Sequence, residues 1–185
     1  IDDVIINSDD LGFSVLPATP GLTESEVKLL ESSTKEFTLK QVLSVGSKKY
    51  KYILIDCPPS LNILTVNALA AATAVIIPVQ CEFFALQGLS ELMTTIDQIK
   101  AGTNQNLSIK GILRTMFDPR NNLAFDVSEQ LMKFFKNQVF KTIIPRNIRL
   151  AEAPSHGKPI QDYDESSKGA FAYMSLVGEI IKQEK

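Results

Sequence analysis

Apolar positions follow two rhythms that take turns along the chain. Short unbroken apolar runs mark strands at Val4 to Asn7, Phe13 to Pro17, Tyr52 to Asp56, Ala74 to Val79, Ile109 to Met116 and Val139 to Ile144. Between them the period is helical, at Glu24 to Ser32, Thr38 to Val45 and Ile63 to Ala72, and then through Leu86, Leu89, Met93, Ile96 and Ile99. A further helix carries Leu123, Val127, Leu131 and Phe134 on one side, and a last one, Lys168 to Gln183, holds Phe171, Met174, Leu176, Val177, Ile180 and Ile181. From residue 52 onward the order is strand, helix, strand, helix. Apolar strands that do not alternate suit a parallel sheet covered on both faces, with right-handed crossovers supplying the covering helices. The expected fold is therefore α/β, a mostly parallel doubly wound sheet flanked by helices. With no heptad or internal repeat, residues 1–185 are expected to form a single domain.

One strand delivers chemistry. The run Tyr50-Lys51-Tyr52-Ile53-Leu54-Ile55-Asp56-Cys57-Pro58-Pro59-Ser60 brings a carboxylate to a strand end, the place where ligands gather in such sheets. A carboxylate there can hold Mg²⁺ through its water shell, because Mg²⁺ dehydrates reluctantly and is shared between one or two acids and substrate phosphates. Pro58 and Pro59 lack amide hydrogens and fix φ, which makes the segment after Asp56 stiff. The competing reading is a rigid strand-to-helix turn.

Composition narrows the setting. At 44% hydrophobic and 22% charged, the chain is ordinary globular material, and no apolar run approaches the length of a membrane span. The amino end, with Asp2, Asp3, Asp9 and Asp10, has no signal-peptide character, so the expected address is cytoplasmic. Cys57 and Cys81 form no metal-binding spacing and read as reduced, structural thiols. The net charge of −2 hides an asymmetry: residues 1–99 carry 6 basic and 12 acidic side chains, residues 100–160 carry 10 and 4, and residues 161–185 carry 3 and 5. The basic excess sits in one segment, where it can face phosphates or solvent. No glycine-rich loop ending in Gly-Lys-Ser/Thr, the motif whose amides cradle phosphates, occurs in the sequence.

Four passages, taken together, resemble a known family. They are Ile53-Leu54-Ile55-Asp56-Cys57-Pro58-Pro59-Ser60, Pro78-Val79-Gln80-Cys81-Glu82, Thr115-Met116-Phe117-Asp118 and Ile144-Pro145-Arg146-Asn147-Ile148-Arg149-Leu150-Ala151-Glu152-Ala153-Pro154-Ser155-His156-Gly157-Lys158-Pro159. In order and spacing they closely resemble the ParA/Soj family of chromosome- and plasmid-partitioning ATPases. The resemblance implies a P-loop NTPase-like fold of the deviant Walker A type. Family members begin with a strand, a Lys-Gly-Gly-Val-Gly-Lys-Thr-type loop and a helix. This chain starts after them, so it is expected to be the carboxyl-terminal portion of a ParA-type ATPase domain.

The resemblance also implies cofactors and partners. ATP and Mg²⁺ would bridge a homodimer, which binds DNA nonspecifically at the nucleoid and is stimulated by a ParB-type partner. Asp56 matches the Walker B acid that orients water on Mg²⁺, and Pro58 and Pro59 match the switch beside it. Met116, Pro145, Arg146 and Asn147 would form the adenine shelf; the alternative for Asn147 is a helix cap. Arg120 and Arg149 match the family's DNA-binding arginines, with Lys141 and Lys158 as weaker additions. Guanidinium forks hold phosphate without sequence preference. The alternative for Arg120 is a solvated turn residue. No residue is assigned as catalytic, since the Walker A set is absent, and the chain alone is expected to be hydrolytically inactive.

Other readings weigh less. His156, the only histidine, has no Ser or Cys nucleophile nearby and lies in a Pro- and Gly-bounded loop, so a surface or hinge role is preferred to a general base. The tail Glu179-Ile180-Ile181-Lys182-Gln183-Glu184-Lys185 is mixed in charge, unlike the basic amphipathic helix of membrane-bound division-site ATPases, so no membrane is expected. Cys57 abutting Asp56 does not match the cluster cysteines of the nitrogenase iron protein. A second class remains open: a truncated, non-hydrolysing DNA- or protein-interaction module that modulates an intact relative.

Overall fold

Where strands find neighbours, the apolar runs become a sheet. The computed structural model describes residues 4–8, 12–46 and 49–184, and the acidic residues Asp2, Asp3, Asp9 and Asp10 lie outside them. Its elements run β1 (Ile6–Ser8), β2 (Phe13–Val15), α1 (Leu22–Glu31), α2 (Thr38–Gly46), α3 (Ile63–Ala71), β3 (Ala74–Gln80), α4 (Ala85–Gly102), β4 (Ser108–Phe117), α5 (Asn122–Phe135), β5 (Val139–Pro145), α6 (Ile148–Glu152), α7 (Ile160–Asp164) and α8 (Lys168–Lys182). The chain divides into two compact units, residues 1–73 with 96–107 and residues 74–95 with 108–185.

In the first unit β1 and β2 pair antiparallel, as a small hairpin rather than as strands of a parallel sheet. Two buried asparagines tie its helices. Asn67 Oδ1 accepts from Leu39 N, while its amide donates to the carbonyls of Lys35 and Ile63. Asn104 donates to Leu69 O and Ala72 O, satisfying carbonyls that the end of α3 leaves open. Asn62 caps the start of α3, its Oδ1 accepting from the amides of Leu64 and Thr65.

The expected strand at Tyr52 to Asp56 is not formed. Among the described residues the segment pairs with no other strand; Tyr52, Ile53 and Leu54 are exposed, Leu54 at 91%, and Ile55 is half-buried. The physical reason is that a strand is defined by its partner. An apolar run satisfies its amides and hides its side chains only when another strand lies beside it, and none does among the described residues.

In the second unit β3, β4 and β5 form a parallel sheet in that order, as the alternation of periods predicts. Phe140, Leu113, Ile144 and Leu176 make its core against α8, and Ala153, Ile160 and Ala170 make a smaller cluster. Leu150 packs on both clusters and so pins α6. Two glycines permit this closeness. A Cβ on Gly111 would lie 2.5 Å from the Phe140 ring, and one on Gly169 would lie 2.6 Å from Leu150. The helical faces are shifted from their sequence reading: α5 buries Ala124, Val127, Ser128 and Leu131, leaving Leu123 and Phe134 exposed. On α8, Leu176 is buried whereas Phe171, Met174, Val177 and Ile181 are exposed.

The pairing of β4 with β5 carries an irregularity that the apolar pattern does not show. Ile112 pairs with Val139 and Arg114 with Ile143, so β5 advances four residues while β4 advances two. Residues 140–142, three against the one residue Leu113, bulge, which strands backbone groups outside the ladder. Arg114, itself only 7% exposed, reaches across from β4. Its Nη2 donates to Phe140 O at 2.9 Å and Lys141 O at 3.3 Å, and its Nη1 donates to Ser128 Oγ on α5 at 2.9 Å. On the other side Glu179 of α8 accepts from the amides of Lys141 (2.7 Å) and Thr142 (2.9 Å). The bulge is thus held by one cation and one carboxylate. Among the described residues Arg114 Nε has no partner, and burial pulls the guanidinium below its usual range.

Candidate functional site

The candidate residues fall in both units. In the first, Asp56 sits exposed in the unpaired segment, followed by the exposed Pro58 and Pro59. Among the described residues no group of three or more His, Cys, Asp or Glu side chains could hold a metal. Cys57 is exposed rather than packed among apolar neighbours, contrary to its structural reading. Partial burial, then the charge of Asp56, pushes its thiol above the ordinary value.

In the second unit the parallel sheet sends three chain segments to one rim: the turn after β3 with Cys81 and Glu82, the turn after β4 with Asp118 and Arg120, and the turn after β5 with Arg146 and Asn147, leading into α6 with Arg149. Parallel strands make this unavoidable, since all carboxyl ends point the same way. Cys81 is buried; burial raises its thiol and the Arg114 charge opposes the rise. The rim is drawn together by backbone. Phe117 and Pro145 are register partners, and Arg146 N donates to Phe117 O at 2.9 Å.

Met116 ends β4 in an unusual way. Its φ of +51° lies in the left-handed region that side chains rarely adopt, at a second irregularity where β4 takes three residues to β5's two. The twist leaves Met116 50% exposed at the rim instead of buried in the sheet. Backbone of this kind costs about 1–3 kcal/mol and persists where the surroundings impose it. Met116→Gly is therefore expected to hold or raise the thermal midpoint. In the full-length protein it should also weaken nucleotide binding several-fold, as measured by calorimetry, if the exposed thioether is part of the shelf.

Asn147 is a helix cap. Its Oδ1 accepts from Arg149 N (2.9 Å) and Leu150 N (3.3 Å) at the start of α6, so the acceptor half of the side chain is committed and only the amide N–H groups remain for a ligand. The shelf reading loses the paired donor and acceptor expected of Asn147. Pro145 and Met116 keep their apolar surfaces.

The two arginines read as DNA contacts are both ion-paired. Arg120 Nε donates to Asp118 Oδ1 (2.9 Å) and Nη2 to Asp118 Oδ2 (2.7 Å), while the Arg120 backbone amide also donates to Oδ1. These bonds hold the Asp118 carboxyl well below the ordinary carboxylate range, with a further contribution from the Arg146 charge. Arg149 Nη1 donates to Glu152 Oε2 at 3.0 Å, and its Nε lies 3.3 Å from Asp164 Oδ2. Glu152 Oε2 also accepts from Tyr163 Oη at 3.1 Å, and Tyr163 stacks on His156 with ring centres 4.8 Å apart. The sequence carries the signal for these pairs, an Asp-x-Arg and an Arg-x-x-Glu.

Comparisons with known proteins agree on the lineage. A family model described as an AAA domain matches residues 1–109. The chromosome partitioning protein ParA of Myxococcus xanthus is 53% identical over 92% of this chain and 60% of its own length. The sporulation initiation inhibitor protein Soj of Bacillus subtilis is 47% identical over 96% of this chain and 70% of its own. The chain belongs to the ParA/Soj family. As a ParA/Soj chain it spans 60–70% of the length of these relatives. The solved structure of cobyrinic acid a,c-diamide synthase from Mycobacterium smegmatis, with bound ADP and magnesium, is 31% identical at a TM-score of 0.81, over 98% of this chain and 66% of that one. A putative plasmid partition protein from Borrelia burgdorferi B31 bound to AMPPNP, 23% identical at a TM-score of 0.79 over 98% and 69%, shares the fold. The α/β architecture expected from the alternation of periods, and the P-loop NTPase-like fold that the resemblance implies, are those these structures have. No helix among the described residues is long and apolar enough to cross a membrane.

Proposed function

We propose that this chain belongs to an ATPase that partitions chromosomes or plasmids, binding ATP with Mg²⁺, pairing with a second copy and holding DNA without sequence preference. The observation that carries the reading is the parallel rim of the second unit. There the family's passages after β3, β4 and β5 come to the carboxyl ends of neighbouring strands, where a nucleotide is held in such sheets.

In this reading Met116, Pro145, Arg146 and the free amide of Asn147 border the base, and Asp56 orients water on Mg²⁺, with Pro58 and Pro59 stiffening the segment that follows. The metal supplies charge neutralisation at the phosphates. The chain's own groups position the ligand and exclude water. Arg120 and Arg149 face the DNA backbone, a ParB-type protein is the stimulating partner, and both units belong to one cytoplasmic, nucleoid-bound domain.

The test is DNA retention by the full-length protein with ATP. Arg120→Glu and Arg149→Glu, singly, should weaken binding to a duplex of arbitrary sequence about tenfold or more and flatten its salt dependence by about one unit of slope each. Unchanged retention in both variants would remove the two arginines from the site.

A further inference from the structure

We propose that Asp118 and the pair Glu152 and Asp164 are internal competitors for the two rim arginines: they hold Arg120 and Arg149 against the protein and set how strongly the rim takes a nucleic-acid backbone. The inference rests on the reading of those arginines as phosphate contacts.

The charge count at the rim motivates it. Residues 100–160 hold 10 basic and 4 acidic side chains, an excess that by itself predicts an open cationic surface. The structure spends that excess unevenly. Arg114 is buried inside the sheet, and two of the four acids, Asp118 and Glu152, are placed on the two candidate contacts, while Asp164 is brought in from beyond the segment. Three arginines, Arg120, Arg146 and Arg149, therefore stand with four carboxylates, Asp118, Glu152, Asp164 and Glu82, at this rim, and the basic excess is gone locally.

Donor geometry says what is lost. A guanidinium offers five N–H groups, and its side-on fork, Nε with one Nη, is a preferred grip for a planar oxyanion. On Arg120 that fork is filled by both oxygens of Asp118. On Arg149 the Nη1 donates to Glu152 and the Nε lies 3.3 Å from Asp164 as an ion pair, so this arginine and its partners carry a net charge of −1. Two outcomes compete: a carboxylate can orient an arginine for its ligand, or it can occupy the place of the ligand. Nonspecific binding draws its free energy from counterions released as phosphates are neutralised. A paired arginine has already neutralised another anion, so competition outweighs orientation, most of all at Arg149.

The two sites differ in how firmly they are held. Asp118 also accepts the backbone amide of Arg120, which closes its turn. Glu152 is shared between Arg149 and Tyr163, and Asp164 approaches at the longer distance of 3.3 Å. Arg149 is the arginine more readily released.

The experiment measures binding of the full-length protein, with ATP, to a labelled duplex of arbitrary sequence over a range of salt. Glu152→Gln and Asp164→Asn should each tighten binding about 2- to 5-fold, the scale of an exposed ion pair, and steepen the slope of log K against log salt. Asp118→Asn, on a separate turn, should do the same at Arg120 and provides the second variant. In an Arg149→Ala background Glu152→Gln should have no effect, which separates release of the arginine from a general change in charge. Unchanged or weaker binding by all three carboxylate variants would overturn the proposal, even where Arg149→Glu weakens retention as expected. If Arg120→Glu and Arg149→Glu both leave retention intact, the underlying reading fails and this inference with it.

Discussion

Arg114→Met is expected to lower the stability of this chain by about 2–5 kcal/mol, read as a fall in thermal midpoint of at least several degrees. The comparison needs care, because burying a cation is costly and a methionine of similar length fills the same space. Replacing a buried charge with an apolar side chain is often neutral. Here it is not expected to be, since Arg114 stands against neutral acceptors. Taking it away leaves Phe140 O and Lys141 O, both displaced from the ladder by the bulge, without their donor, at about 1–3 kcal/mol for each orphaned group. Arg114→Lys keeps the charge but not the fork and should fall between the two. A midpoint for Arg114→Met within a degree of the parent would show that the bulge carbonyls find other donors. Glu179 completes the same device from the opposite side. Burial raises its carboxyl, but the amides of Lys141 and Thr142 outweigh this and hold it below its ordinary value. A carboxyl lowered by folding stabilises above its unfolded value, so this contribution is present above about pH 4.5 and lost as the pH falls through the lower folded value. Glu179→Gln should remove that part of the acid sensitivity.

The largest effect on activity is expected from what accompanies the chain. Purified alone, it should hydrolyse ATP at background rate. A full-length form carrying a glycine-rich Lys-Thr loop ahead of residue 1 should turn over, and Asp56→Ala in that form should reduce the rate by about 10²-fold or more. Phosphoryl transfer gives a protein little covalent chemistry to perform. Positioning and charge stabilisation account for nearly all of the catalysis, and the sequence holds no Gly-Lys-Ser/Thr loop to supply them. Turnover by the chain alone that disappears in Asp56→Ala would refute this, as measured by phosphate release. Turnover that survives Asp56→Ala in the full-length form would instead remove Asp56 from the metal site. A full-length gene product that lacks such a loop and stays inactive would favour the non-hydrolysing interaction module.

What could be read from the sequence follows physical lines. The parallel sheet and its helices were legible because burial on both faces writes continuous apolar runs, and helices write a period; β3, β4, β5 and α4 fell within a few residues of their expected bounds. The strand expected at Tyr52 to Asp56 does not form, because the apolar pattern reports what a segment would bury, not whether a partner is present to bury it. The bulge in β5 is invisible to periodicity. Its trace was the lone arginine in the run Gly111-Ile112-Leu113-Arg114-Thr115-Met116-Phe117, a charge that an interior strand keeps only when backbone groups need it. At the rim, residue types were legible and their pairing was not: Asn147 was weighed both as a reader of base edges and as a cap, and the backbone uses it as a cap. The short helices α6 and α7 stand on Leu150, Ile160 and Gly169, contacts between positions distant in sequence.

The carboxylate of Glu179 has one more consequence, for how copies of the molecule meet. By occupying the amides of Lys141 and Thr142 it withholds two backbone donors of β5 from any strand that adds to this border of the sheet. Replacing Glu179 frees these two amides at the border of β5.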